Sequence, residues 1–241
     1  MRNGTLYGVG VGPGDPELIT MKGARVLSRC RYIFVPKART AAESVALAIA
    51  GRYVAADAEI KELVFPMETD RKELARHWAE AARSVAVVLE HGKDAVFLTL
   101  GDPLLYSTYI YLLREVRTLI PDAAIETVPG VMAFGAAAAL AGFAVGEGKE
   151  PVLIFPGADN LDAVRKALKS GGTVILMKIG KHLPAVLEAI EEAGFMDAAV
   201  FVSRAGMPGQ RVETNLHNLK NEGAEAGYLS IILVHTGGKK S

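Results

Sequence analysis

Residues 6–20, LYGVGVGPGDPELIT, decide how the chain is read. A short apolar run, Leu6, Tyr7 and Val9, enters a turn with glycines at 8, 10, 12 and 14. Aliphatic residues then recur at helical spacing at Leu18, Ile19, Met21, Ala24 and Leu27. A strand, a glycine-rich turn and a helix in that order mark a ligand site, because backbone without Cβ atoms admits a ligand closely. The dinucleotide fingerprint GxGxxG is absent: counted from Gly8 the sixth position is Pro13, and from Gly10 it is Asp15. No P-loop Lys-Ser/Thr pair follows. Asp15 and Pro16 suit the cap and first position of a helix, which accounts for them without a ligand. Four glycines and Pro13 need a further reason, and a ligand facing the loop supplies one.

Outward from this stretch, strand and helix patterns alternate. Strands are predicted over 5–9, 32–35, 95–100, 124–128, 152–155, 173–178, 198–203 and 228–234. Helical stretches are predicted over 16–28, 42–51, 70–91, 104–119, 131–141, 161–169 and 183–193. The succession predicts an α/β fold with parallel or mixed sheets. The pattern changes around Pro121 and Asp122, after which polar loops join the strands, so domains are expected over 1–121 and 122–241, the last strand antiparallel in a second sheet.

The chain has 241 residues and is half apolar, enough for one large core or two units of about 120 residues. Lys plus Arg and Asp plus Glu both total 27, so no global field draws nucleic acid or an anionic membrane. Cys30 is the only cysteine, which excludes an internal disulfide. His77 and His91 fall on one helical stretch, and His182, His217 and His235 have no ligand spacing, so no protein-bound metal is expected. The opening MRNGTLYGVG lacks a signal-peptide core and no run reaches membrane-spanning length, so a soluble cytoplasmic protein is expected.

Three further loops follow predicted strand ends, where open α/β sheets gather ligands. In TLGDPLLYST, residues 99–108, Gly101 permits close backbone approach, Asp102 and Pro103 suit a helix start, and Tyr106, Ser107 and Thr108 bring three hydroxyls. In ETVPGVMAFGAAAALAG, Pro129 and Gly130 open a helix whose first amides, at Val131, Met132 and Ala133, are free for polar atoms, while Ala136 to Ala139 read as close helix packing. In ILMKIGKH, residues 175–182, Met177 and Lys178 end a strand.

The four loops in this order resemble the tetrapyrrole methylase family, whose members transfer methyl from S-adenosylmethionine. The resemblance runs along essentially the whole chain. It is carried by GVGVGPGDPELIT with MKGARVLSRC after it, GDP at 101–103, PGV at 129–131 and the closing YLSIILV. RCRYIFVPKA at 29–38 and LVFPMETD at 63–70 are similar to the branch that methylates C20 of precorrin-2, or of its cobalt-bearing counterpart, in cobalamin synthesis. The resemblance implies two α/β domains meeting at a trough, with S-adenosylmethionine folded between them and the tetrapyrrole lying in the trough. It implies cofactor contacts at Pro13, Leu100, Gly101, Asp102, Leu105, Met132, Ala133, Met177 and Ala205, and a homodimer.

A precorrin's many carboxylates call for local cations. Lys37, Arg39, Lys178, Lys181, Arg204 and Arg211 are the candidates, with Gly10 and Gly12 of the first loop beside the macrocycle. Relatives that methylate uroporphyrinogen carry an acidic residue where this chain has Val35-Pro36-Lys37, which disfavours that substrate and leaves the proton acceptor unassigned. Ribose in ribosomal RNA, or a diphthine precursor on a protein, would be a rival substrate, and a non-catalytic nucleotide- or corrinoid-binding protein a rival class. RNA calls for a basic face with stacking aromatics, which zero net charge and the single Trp78 do not suggest.

Overall fold

The computed structural model describes residues 2–38, 44–65 and 71–237, in two compact units, Met1–Met132 and Ala133–Ser241. In the first unit the order is β1 (Thr5–Gly10), α1 (Met21–Leu27), β2 (Tyr32–Ala38), α2 (Val45–Ala50), β3 (Glu59–Phe65), α3 (Arg71–Glu90), β4 (Ala95–Thr99), α4 (Tyr109–Leu119) and β5 (Ala124–Val128). The strands form one parallel sheet in the order β3-β2-β4-β1-β5. β4 is buried at every position, as a strand covered on both faces must be, and its sequence AVFLT is correspondingly apolar throughout. From β1 the chain crosses toward β2, and from β4 it crosses to β5 on the other side. The crossovers therefore diverge at the adjacent pair β1–β4, where an open sheet of this type offers a crevice.

Tyr109, at the start of α4, is fully buried against Phe97 and donates to or accepts from Thr127 Oγ1 at 3.0 Å. Its ring fills the space where a side chain at Gly8 would stand, so Gly8 is a packing requirement. Phe34, Phe97, Leu89 and Leu112 complete the centre of this core, each contributing about 1.5–3 kcal/mol by leaving water. Trp78 is half-buried between Phe65 and Tyr111, with ring centroids 5.8 and 3.8 Å away.

The second unit runs α5 (Ala133–Ala141), β6 (Val152–Phe155), α6 (Leu161–Ala167), β7 (Thr173–Met177), α7 (Leu183–Glu192), β8 (Ala199–Ser203), β9 (Arg211–Glu213) and β10 (Ser230–His235). Its sheet has the order β6-β7-β10-β8-β9, with β6 and β7 parallel and β10 antiparallel to both its neighbours. Phe201, Leu176, Ile190 and Ile232 lie in its core.

Several expectations change on contact with the structure. The change of pattern at Pro121 and Asp122 does not divide the units, because β5 pairs with β1 over Thr5↔Ala124 to Val9↔Val128 and belongs to the first sheet. The helix expected over 16–28 is two elements: Asp15 caps a 3-10 turn, Pro16–Leu18, and Thr20 Oγ1 then accepts from Gly23 N at 3.1 Å to start α1. β3 and β9 were not expected. β3 carries Glu59, Lys61 and Glu62 on the sheet edge, where charge guards against pairing with other chains but hides the strand pattern. β9 is three residues long.

Cys30 closes the far end of the first sheet. Its thiol is buried, faces the carbonyl of Asp94 at 3.2 Å, and burial pushes its pKa up to about 11. A thiolate-dependent reagent at pH 8 should therefore modify the native protein about 100-fold more slowly than the urea-unfolded chain. Equal rates by absorbance would mean the thiol is open in solution.

Candidate functional site

The ends of β4, β1 and β5 carry the first three of the four loops, and backbone packs directly on backbone there. Gly12, at φ 78°, exchanges hydrogen bonds with Gly101, at φ 71°: Gly101 N donates to Gly12 O at 2.8 Å and Gly12 N to Gly101 O at 3.3 Å. A Cβ on Gly10 would stand 2.6 Å from Gly101 O and 2.7 Å from Gly130 N, and one on Gly130 would overlap Gly101 O. Gly10, Gly12 and Pro13 are buried. What the missing side chains of Gly10 and Gly130 admit is the neighbouring loop, a different reason for glycine from the ligand-facing one expected at Gly10.

Asp102, only 9% exposed, ties this stack together. Its Oδ1 accepts from Leu104 N at 2.8 Å and its Oδ2 from Gly130 N at 3.1 Å, joining the second loop to the third. It does not cap α4, which starts later, at Tyr109, and whose first amide donates to Ser107 Oγ at 3.1 Å. Ser107 in turn shares a 2.8 Å hydrogen bond with Thr99 Oγ1. Tyr106 is held at φ 51°, a left-handed conformation that is costly for an aromatic residue and concentrates at functional sites. Around this rigid centre Leu104, Tyr106 and Met132 are exposed, while Leu100 and Leu105 are half-buried.

In the second unit one sheet edge gathers the ends of β7 and β8 and the start of β10, since Met177 pairs with Ile231 and Ser203 with Ser230. Three non-glycine residues there adopt left-handed backbone: Lys178 at φ 53°, Arg204 at φ 50° and Leu229 at φ 50°. Arg204 N donates to Leu229 O at 3.0 Å, and the Arg204 guanidinium lies 5.9 Å from the Tyr228 ring centre. Ala205 is buried and Met177 half-buried beside them. Lys178 is exposed by area, yet enough protein surrounds its ammonium that desolvation lowers its pKa.

The remaining candidates fare differently. Lys37 stands in β2 opposite Val64, and Arg39 lies outside the described residues. Arg211 is engaged by Glu222 Oε1 at 2.7 Å and Glu213 Oε2 at 3.7 Å, so its charge serves local structure. Lys181 lies in the turn Gly180–His182 that follows β7. His77, His217 and His235 face Glu80, Asp197 and Glu150, and among the described residues no group of three or more His, Cys, Asp or Glu could hold a metal ion. No helix among them is long and apolar enough to cross a membrane. Sequence reading included Tyr228 and Leu229 only as the opening of the closing YLSIILV run and gave neither a part in the site.

Residues 5–220 match the model of the Tetrapyrrole (Corrin/Porphyrin) Methylases. The chain belongs to this family. It is 32% identical over 233 residues to a cobalt-precorrin-2 C(20)-methyltransferase of Salmonella typhimurium, covering 97% of each chain. It is 27% identical over 239 residues to a precorrin-2 C(20)-methyltransferase of a Sinorhizobium species, covering 96% of this chain and 95% of that one. The crystal structure of a cobalt precorrin-4 methyltransferase, CbiF, superposes with a TM-score of 0.74 at 22% identity, over 96% of this chain and 94% of the other, and shares the fold. The methylase fold thus accounts for the two mixed α/β units.

Two variants test the loop stack of this methylase. Asp102→Ala strips the acceptor from two backbone amides and should cost about 1–3 kcal/mol in urea unfolding. Gly130→Ala should cost at least roughly 1–3 kcal/mol through overlap; unchanged midpoints for both would show that the loops are not packed this way. Lys178 has a further signature. With its folded pKa below the ordinary lysine value, the folded state binds fewer protons between the two values, so stability rises with pH across that window. Lys178→Met should remove that alkaline rise in a pH series of urea midpoints.

Proposed function

We propose that the protein is an S-adenosylmethionine-dependent C-methyltransferase that methylates C20 of precorrin-2 or its cobalt-bearing form in cobalamin biosynthesis. The observation that carries this reading is the end-to-end likeness to the Salmonella cobalt-precorrin-2 C(20)-methyltransferase, at 97% coverage of both chains. The cobalt of that substrate is cargo of the tetrapyrrole. A cytoplasmic homodimer is part of the same proposal.

The residues fit the cofactor. Of the positions proposed to hold it, Pro13, Leu100, Gly101, Leu105, Met132, Ala133, Met177 and Ala205 are apolar or glycine, and Asp102 is the one ionised side chain. Apolar residues and glycines with backbone polar groups, and a single carboxylate, are the residue types that suit a flat adenosyl group joined to a cationic sulfonium amino acid. Asp102 already accepts two amides, and a carboxylate has about four lone-pair directions, so about two remain for further donors.

The bound cofactor supplies an electrophilic methyl group on sulfur. The chain's own work is to hold acceptor carbon, methyl and sulfur in line and to keep water away, and such positioning can supply about 7–11 kcal/mol. The rigid glycine stack sets the height of the second and third loops. Left-handed backbone at Lys178 and Arg204 fixes where Met177 and Ala205 stand in the second unit. Lys37, Arg39, Lys178 and Arg204 are proposed to meet the substrate's carboxylates, and Gly10 and Gly12 to contact the macrocycle.

Incubation with precorrin-2 or cobalt-factor II and labelled S-adenosylmethionine should release S-adenosylhomocysteine and place one new methyl at C20 by NMR. Methyl at another ring position, or no product with either tetrapyrrole, would defeat the reading. Met132→Glu, at a position 36% exposed, should weaken cofactor binding about 10-fold or more by calorimetry while leaving stability within about 0.5 kcal/mol. A bulky side chain at Gly101 is a poorer probe, because its φ of 71° and its bonds to Gly12 make the position structural.

A further inference from the structure

We infer that Tyr228 is a positioning residue whose ring holds the Arg204 guanidinium ready for a peripheral carboxylate of the tetrapyrrole; the carboxylate's identity rests on the function proposed above. The guanidinium carbon lies over the Tyr228 ring, 5.9 Å from its centre, within reach of the attraction between a cation and a ring face. Both side chains are exposed, Tyr228 at 58%. A cation and a ring that both stand in water add little to folding, so the pair calls for another reason.

The charge of Arg204 is otherwise unmatched. The second unit has three arginines. Arg165 pairs with Glu192 at 2.9 Å and Arg211 with Glu222 at 2.7 Å, whereas no carboxylate among the described residues pairs with Arg204. The difference is chemical. A carboxylate neighbour would orient a guanidinium but would also occupy its N–H donors and cancel its charge. A ring face orients it through the quadrupole alone, and leaves the planar fork of donors for an incoming carboxylate.

The two residues come from different strands, and each is held from behind. Arg204 follows β8 in left-handed backbone, φ 50°, and its amide donates to Leu229 O at 3.0 Å. Tyr228 precedes β10, and its amide donates to Glu225 O at 3.1 Å. Beside it, Ser230 Oγ donates to Gly227 O at 2.7 Å, and Gly227 packs so closely on the Gly180 carbonyl that a Cβ would overlap the oxygen. This sheet edge also carries Met177. With the backbone fixed on both sides of the pair, the freedom that remains is that of the long Arg204 side chain. The ring restricts it before the substrate arrives, so less of that freedom is lost on binding.

Steady-state kinetics test the assignment, using S-adenosylmethionine and whichever of cobalt-factor II and precorrin-2 the wild type methylates. Tyr228→Leu should raise the KM for the tetrapyrrole about 2- to 5-fold, with kcat and the KM for S-adenosylmethionine unchanged. Tyr228→Phe, which keeps the ring and drops the hydroxyl, should rescue the KM. In an Arg204→Gln background Tyr228→Leu should add nothing, because the ring then has no charge to hold. The urea midpoint of Tyr228→Leu should match the wild type. A Tyr228→Phe defect as large as that of Tyr228→Leu would make the hydroxyl a direct contact. An undiminished effect in the Arg204→Gln background would uncouple the ring from the arginine, and a lowered midpoint would make the ring structural. Any of these, or an unchanged KM in Tyr228→Leu, would overturn the assignment. Wild-type protein that methylates neither tetrapyrrole would instead overturn the proposed function, and the Tyr228 assignment with it.

Discussion

Direct contact of backbone with backbone among Gly10, Gly101 and Gly130, clasped by the Asp102 carboxylate, is the constraint on which the first unit depends. Three strands that leave the sheet side by side would ordinarily splay their loops apart by the width of their side chains. Here the loops close because those side chains are missing. The carboxylate then supplies acceptors that the loop amides would otherwise seek from water. With no flexible side chain in the contact, the loops have little room to readjust. That is the mechanical property a positioning catalyst needs.

The second unit fixes its loops by other means. Lys178, Arg204 and Leu229 hold left-handed backbone without being glycine, at about 1–3 kcal/mol each. The cost is met by surrounding contacts such as the bond from Ser230 Oγ to Gly227 O at 2.7 Å and the fit of Gly227 against the Gly180 carbonyl. Keeping a side chain at a strained position makes sense only if the side chain is needed, and two of the three are cations. The first unit uses absent side chains to make a platform. The second retains charged ones at its edge.

Much of this was written in the sequence. The α/β succession, eight strand positions and the capping role of Asp15 follow from apolar periodicity and residue chemistry, and the family resemblance rested on the same loops. Glycine count signalled a special turn but not its reason, since a glycine beside a ligand and a glycine beside another loop look alike in one dimension. Asp102 read as a helix cap because Asp-Pro usually is one. Its real partner, Gly130, is remote in sequence, and such pairings have no local signature. β3 escaped for a similar reason, because charges that suit an edge strand obscure the alternation that would reveal it.

The strand order β3-β2-β4-β1-β5 also governs how the chain emerges from the ribosome. β1 is made first but sits between β4 and β5, the last two strands of its sheet to be made. Its two neighbours are thus missing for most of the time that the unit is being synthesised, and its backbone edges wait unpaired, one until β4 and the other until β5, ending at Val128, is clear of the exit tunnel. Long-range parallel pairing of this kind folds slowly and exposes sticky intermediates. Truncation anywhere before β5 leaves a nascent chain with an open central strand, which makes completion of this unit an all-or-none event late in its translation.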